Sequence, residues 1–504
     1  MKGSLMFAGT TSDAGKSALT TALCRVLARR GVRVAPFKAQ NMANNSMVTV
    51  DGAEIGRAQW VQAVAAGAEP EAAMNPVLLK PGSDRTSHVV VMGRPFGELE
   101  ASSFAGERRA LAEAAYAAYD DLAARYDVVV CEGAGSPAEI NLRANDYVNM
   151  GLARHGDIPT VVVGDIDRGG VFAALFGTTA LLCAEDQALV CGYLLNKFRG
   201  DPGLLAPGLS MLHSVTGRPV LGVLPWLSDV WLDSEDALDV AARSATCEDE
   251  PVLEVAVVRL PRISNFTDVD ALGVEPNVDV RFVDSSAAVR EADLVVLPGT
   301  RATIADLGWL RERGLDDALR HRAATGRPVL GICGGFQLLG ERIDDPDAVE
   351  SRGTPKAEGL GLLPAYTRFG ADKTLRRPTG TWRGTEVVGY EIHHGAVTVD
   401  EGEPFLSGCR VGAVWGTLWH GALENDGFRR AWLSEVAAQA GVEGFEPRSD
   451  TSFAALRTAR LDLLADALEE YADTEALLAL VEHGAPADLR FVAPGAPGVG
   501  TTRL

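Results

Sequence analysis

No apolar run in the 504-residue chain approaches the ~18 residues that span a bilayer, so the sequence offers no ground for a transmembrane helix. The N-terminal stretch "MKGSLMFAGT" is too short in its apolar part for a signal peptide and runs directly into a glycine loop. Basic charge is scarce: 47 Lys and Arg stand against 68 Asp and Glu, a net charge of −21. That balance argues against a nucleic-acid partner, because phosphate backbones are gripped by clustered Lys and Arg. An anionic substrate must then be held by local devices such as helix N-termini, magnesium and single basic residues. The seven cysteines, at 24, 131, 183, 191, 247, 333 and 409, form no CxxC pair and no compact disulfide framework. They read as reduced thiols of a cytoplasmic protein, most of them small core residues.

What is present is ordinary globular material, 47% apolar and 23% charged, in a chain too long for one hydrophobic core. Over the first ~225 residues, short β-rich runs alternate with helical patterns. "SLMFAG", "RVAPF", "DVVVCEG", "TVVVGD", "VCGYLLN" and "PVLGVLP" have the continuous apolar character of buried parallel strands. Between the first two, Leu19, Ala22, Leu23, Val26 and Leu27 make one apolar stripe at helical spacing, and Gly31 is a C-terminal stop. Strand, loop, helix and strand make a βαβ unit, which predicts a doubly wound α/β domain over residues 1–243. The acidic, turn-prone "SATCEDEP" (244–251) reads as a linker. A second α/β pattern, "VLEVAVVRL", "DVRFVD", "ADLVVLPGT" and "RPVLGICGG", predicts a second doubly wound domain over 251–435. Residues 440–504 read as a helical extension, Ala- and Leu-rich over 453–483, with a Pro/Gly-rich disordered tail.

In "AGTTSDAGKS" (8–17), a loop follows a strand and opens a helix, the context of a phosphate-binding loop. Its backbone N–H groups and the helix N-terminus suit phosphate oxygens. Gly9, Thr10, Asp13 and Gly15 shape the loop, Lys16 would reach the β/γ-phosphates, and Ser17 would offer its hydroxyl to Mg²⁺. Five residues, not the usual four, separate Gly9 from Gly15-Lys16. Glu132 and Asp165 end two further strands and are candidate Mg²⁺ ligands, with Asp167 two residues on; Asn196 and Lys197 end another, where a purine could be read.

The second centre is "GICGGFQLLG" (331–340), after the apolar strand "RPVL". Gly331-Ile332-Cys333-Gly334-Gly335 has the spacing of a nucleophile elbow, a sharp strand-to-helix turn that exposes its central side chain. His420 in "GTLWHGALEND" is the candidate base, and Gly299 and Gly334 offer N–H groups to an oxyanion. Glu424 is a candidate for orienting the imidazole. His393 and His394 in "YEIHHG" read as residues that shape the site or its interface.

The loop spacing and "EGAG" resemble dethiobiotin synthetase and its relatives, which use ATP to activate a carboxylate. The ParA/MinD partition ATPases carry a signature lysine near the loop start, where this chain has Thr11. The GxCxG elbow with a distant "GTxxHG" histidine resembles class I glutamine amidotransferase domains of the cobyrinate-amidating type. Joined in one chain, with "FKAQNMANNSMVT", "DIDRGGVFA", "NKFRGD" and "YEIHHG", the two are similar to the cobyric acid synthase family over roughly residues 1–435. That resemblance implies amidation of the b, d, e and g carboxylates of adenosylcobyrinic acid a,c-diamide in cobalamin biosynthesis, with one L-glutamine and one ATP consumed per amide. It implies ATP and Mg²⁺ but no tightly bound prosthetic group, and leaves homo-oligomerisation open. Lys38, Gln40, Asn41, Asn44 and Asn45 are its candidate corrinoid contacts. The usual Glu two residues after the catalytic histidine is replaced by Ala422, as is common in this subfamily, which implies a Cys333–His420 dyad. Free ammonia is protonated at neutral pH, so a shielded passage between the two centres is expected. Cobyrinic acid a,c-diamide synthase, a peptidoglycan-precursor amidotransferase and a ParA/MinD-like switch are the alternatives; "QNM-NNS" favours the first-named family.

Overall fold

The computed structural model describes residues 1–81, 86–100, 104–227, 243–244, 252–350 and 355–496. The linker residues 245–251 and the tail 497–504 therefore lie outside the described residues. Two compact units are present: Met1–Met42 with Ala53–Trp231 and Arg457–Leu504, and Ala43–Gly52 with Leu232–Leu456.

In the first unit the six apolar runs form one parallel sheet. Its strands are β1 (Gly3–Gly9), β2 (Val34–Phe37), β3 (Val128–Glu132), β4 (Thr160–Asp165), β5 (Val190–Phe198) and β6 (Val220–Pro225), in the order β6-β5-β4-β1-β3-β2. Burial on both faces is why these strands are apolar without alternation. Helix α1 (Lys16–Arg29) lays Leu19, Ala22, Leu23, Val26 and Leu27 into the core against this sheet. Helix α2 (Arg57–Ala66) adds Val61, Ala65 and Ala66 to the same core. The ends of β1, β3, β4 and β5 carry Gly9, Glu132, Asp165 and Asn196 to one edge of the sheet, with Gly9 paired to Val163 and Asp165 to Asn196.

The second unit repeats the principle. Strands β7 (Leu253–Val258), β8 (Val278–Val283), β9 (Leu294–Leu297) and β10 (Val329–Ile332) are parallel. Helix α3 (Gly334–Leu339) leaves the end of β10. Beyond it, β11 (Glu391–Val399) belongs to a separate four-stranded sheet. A fifth parallel strand, β12 (Val414–Thr417), pairs with β10 and delivers the segment that carries His420. The parallel order is β8-β7-β9-β10-β12.

The C-terminal segment then returns to the first unit through α4 (Phe453–Tyr471) and α5 (Thr474–His483). Leu461, Ala465, Leu468, Leu477, Leu478 and Val481 complete the core that α1 and β1 begin. Arg25 and Arg29 of α1 pair with Asp462 and Asp466 at 2.8 and 2.5 Å. Asp473 caps α5 by accepting from the Ala476 N–H at 3.0 Å. The apolar contacts carry this docking, since half-exposed ion pairs contribute about 0–1 kcal/mol each.

Candidate functional site

The first centre lies at the carboxyl edge of the six-stranded sheet. Gly15 opens α1 at φ 97°, and a Cβ built there would sit 1.9 Å from Asn196 Nδ2, so a left-handed turn and close approach both require glycine. Asn196 Nδ2 donates to the Ala14 carbonyl at 3.0 Å, which ties the end of β5 to the loop. Thr10 N–H donates to Val163 O at 2.9 Å, Lys16 Nζ reaches Thr11 O at 2.8 Å, and Asp13 takes a bond from Arg168 at 3.2 Å. The loop is thus tied to β4, to Asn196 at the end of β5 and to Arg168, with the Lys16 ammonium folded onto its Thr11 carbonyl.

Glu132 is fully buried and gathers three donors: Ser17 Oγ and Lys38 Nζ at 2.8 Å on Oε1, and Gln62 Nε2 at 2.6 Å on Oε2. Burial alone would push its carboxyl up, but the Lys38 charge and these hydrogen bonds hold it below the ordinary carboxylate value. Ser17 and Glu132 are therefore together, a pair of hard oxygen donors that suits Mg²⁺ beside phosphates, although Lys38 shares the same Glu132 oxygen. Asp165 stands apart in another group, with Lys197 at 3.1 Å, Arg168 at 3.5 Å and the Asp167 N–H at 2.9 Å.

The stretch read as corrinoid contacts is divided between the units. Lys38 and Asn41 are buried in the first, Lys38 on Glu132 and Asn41 Nδ2 on Gln59 at 3.0 Å, while Gln40 accepts from the Tyr147 hydroxyl. Asn44 and Asn45 belong to the second unit, and Asn45 is buried there.

The second centre is built on β10, β12 and the loops beside them. Cys333 sits at φ 52°, ψ −108°, a strained conformation for a residue with a Cβ, of a kind that costs about 1–3 kcal/mol. It is pinned from both sides: its N–H donates to Thr417 O at 2.7 Å, and its carbonyl accepts from Gln337 N–H at 3.1 Å. A Cβ on Gly335 would lie 1.9 Å from Leu297 O, so the helix start can lie this close to β9 only as glycine.

His420 is buried, and its Nδ1 is 2.7 Å from Asp268 Oδ2; the other carboxylate oxygen accepts the Gly421 N–H at 2.8 Å. Burial opposes a charged imidazole, but Asp268 on one side and the Cys333 sulfur on the other push its pKa up to about 10. Tyr390 stacks on the ring at 5.2 Å and brackets the residue with two backbone hydrogen bonds. A Cβ on Gly299 would lie 3.2 Å from His420 Cε1, and one on Gly334 would lie 2.9 Å from Thr300 N. The nucleophile, the imidazole and both glycines of the expected oxyanion site are therefore adjacent.

The carboxylate on His420 Nδ1 is that of Asp268, a residue the sequence reading did not name beside Glu424. Asp268 lies 152 residues upstream in "SNFTDVDALG", where the signal is two acids, Asp268 and Asp270, interleaved with Phe266, Val269 and Leu272, and both acids prove to be buried. His393 bonds Gly395 O at 2.8 Å and Glu391 at 3.3 Å, while Ile392 O lies 3.9 Å from Cys333 Sγ. The "YEIHHG" strand β11 thus walls the nucleophile with its backbone.

Among the described residues no helix is long and apolar enough to cross a membrane. The six described cysteines are free and buried.

Comparison with known proteins matches both units. Residues 5–240 fit the model of the CobQ/CobB/MinD/ParA nucleotide binding domain, and residues 254–428 fit that of the CobB/CobQ-like glutamine amidotransferase domain. Over 98% of this chain and 99% of theirs, the cobyric acid synthases of Mycolicibacterium vanbaalenii, Mycobacterium marinum and Mycobacterium tuberculosis are each 63% identical to it.

Proposed function

This chain belongs to the cobyric acid synthase family, and from that premise we propose how its residues divide the work of an ATP-dependent glutamine amidotransferase of cobalamin biosynthesis. The observation that carries the division is the Asp268–His420–Cys333 constellation at a strained elbow, in a chain whose other unit holds a phosphate loop against Glu132.

In the glutaminase half, Cys333 attacks the side-chain amide carbon of L-glutamine and the N–H groups of Gly299 and Gly334 stabilise the oxyanion. His420, protonated at neutral pH because Asp268 holds it so, gives its proton to departing ammonia. The neutral ring then takes a proton from water, which hydrolyses the thioester. Asp268 fixes the tautomer, so Nε2 is the nitrogen that works.

In the synthetase half, Lys16 and the loop amides hold the triphosphate of ATP while a peripheral carboxylate of the corrinoid takes the γ-phosphoryl group. Ammonia then displaces phosphate from the acyl phosphate. Ser17 and Glu132 would hold Mg²⁺, with Asp165 as a further candidate, and the ion would neutralise phosphate charge. Asn196 sits at the loop, where it could also meet the base. Lys38, which is beside Glu132, is assigned to receive an incoming carboxylate, and Gln40, Asn41, Asn44 and Asn45 are the further corrinoid contacts of this reading. The substrate is adenosylcobyrinic acid a,c-diamide, amidated at b, d, e and g in the cytoplasm.

The test is Cys333→Ala, assayed for amidation with each nitrogen source. Loss of glutamine use with retained activity at high ammonia supports the two-centre division; loss of both in a folded variant refutes it.

A further inference from the structure

Gly299, the proposed oxyanion donor, lies in a short antiparallel ribbon of Ile263–Ser264 against Gly299–Thr300. The two strands lead to different parts of the glutaminase centre. One runs on into Phe266–Val269 and delivers Asp268 to His420, while the other sets Gly299 beside the imidazole. Two residue pairs make a ladder too short to stand alone, so the ribbon needs an outside hold. Asp306, in the helix Thr303–Glu312, supplies it. This residue is 1% exposed, and its carboxylate accepts from the Thr300 hydroxyl on one strand and from the Arg262 N–H at the head of the other. Burial pushes the carboxyl up to about 6, still below neutrality, so at neutral pH it is an acceptor for both donors. Thr300 Oγ1 also accepts the Ala302 N–H at 3.0 Å. A Cβ built on Gly334 would lie 2.7 Å from Thr300 Cγ2 and 2.9 Å from its backbone N, so Thr300 rests directly on the residue after the nucleophile. A β-branched side chain held at its hydroxyl is stiff about χ1, which passes the hold to the peptide units on either side.

We propose that Asp306, acting through Thr300, is a positioning residue for the oxyanion site: it fixes the ribbon so that the Gly299 and Gly334 N–H groups are set before the tetrahedral intermediate forms. This rests on the glutaminase assignment of Cys333, His420 and the two glycines. Donors aimed in advance stabilise an oxyanion without reorganisation, and removing one of them costs about 10²–10³ in rate. Loosening their carrier costs part of that. The loss falls on kcat, because the ground-state carbonyl gains less from the same donors than the oxyanion does.

The experiment compares, in the full-length enzyme, Thr300→Val, which keeps the shape and removes the hydroxyl, with Thr300→Ser, which keeps the hydroxyl. Ammonia release from L-glutamine gives kcat and KM. Inhibition by the aldehyde analogue of glutamine gives Ki; its reversible adduct with the Cys333 thiol places an oxygen at the oxyanion position. The melting temperature checks folding, and amidation driven by high ammonia, which bypasses Cys333, is the internal control. Thr300→Val should lower kcat about tenfold or more, leave KM within about twofold and raise the aldehyde Ki by a factor similar to the loss in kcat. Thr300→Ser should bring both back to within about threefold of the wild type. Where Thr300→Val does not fold, Asp306→Asn, which puts an amide N–H against one of the two donors, is read by the same criteria. A folded variant with wild-type kcat and Ki overturns the proposal and reduces Asp306 to a structural tie. So does a fall in kcat that leaves Ki unmoved, or one that Thr300→Ser shares in full. These failures leave the glutaminase reading intact, because that reading falls only if Cys333→Ala retains glutamine use.

Discussion

Replacing Asp268 with Asn probes the glutaminase centre most directly, because it removes one charge and little else. Asn can still accept the Gly421 N–H that Asp268 now takes at 2.8 Å, so the local turn is kept. What is lost is the carboxylate 2.7 Å from His420 Nδ1. The rise of the imidazole pKa from 6.5 to about 10 corresponds to about 5 kcal/mol in favour of the protonated ring, to which Asp268 and the Cys333 sulfur both contribute. Assigning half to Asp268 gives about 2–3 kcal/mol, or roughly 30- to 150-fold in rate. Loss of the required tautomer adds to this, and comparable Asp→Asn changes in other triads reach about 10⁴. Glutamine-dependent kcat should therefore fall by about 30-fold to 10⁴-fold. The pH profile moves as well. A raised histidine value means that the protonated ring persists up to about pH 10 and is lost above it. With burial no longer opposed by Asp268, the alkaline limb of the glutaminase profile shifts towards neutrality. Steady-state ammonia release between pH 6 and 10.5 reads both effects. A folded variant with wild-type kcat at pH 7.5 and an unmoved alkaline limb would refute the assignment of Asp268.

Two further substitutions test the frame around the centres. Lys16→Ala should lower amidation from glutamine and from ammonia alike by about 10²–10³-fold, measured as corrinoid amide formed; activity retained with either source contradicts the phosphate-loop assignment. Gly335→Ala places a Cβ 1.9 Å from Leu297 O, backbone that cannot swing aside. It should destabilise the second unit by about 2–3 kcal/mol and lower its melting temperature by about 4–12 °C in calorimetry, with glutaminase activity lost; an unshifted transition would show that the elbow yields more easily than its geometry suggests.

The expectations that held are those encoded over short spans. Six apolar runs became six adjacent parallel strands because a strand buried on both faces must be apolar at every position. The phosphate loop and the elbow were legible because φ-positive turns and close backbone approach leave glycine at fixed intervals, seen at Gly15 and Gly335. The parallel strand after the elbow, Val414–Thr417, is as apolar as the others and was marked only by the histidine that follows it.

What the sequence by itself determined is the two α/β frames and the residues proposed to act first, Lys16, Ser17, Cys333 and His420, each tied to a local backbone geometry. Tertiary structure alone decided what those residues lean on. Asp268 meets His420 across 152 residues, and Arg25 meets Asp462 across 437, which makes the C-terminal helices part of the first unit's core. Such partners leave no periodic trace, because an ion pair or a shared core requires only that two surfaces meet, wherever in the chain they arise.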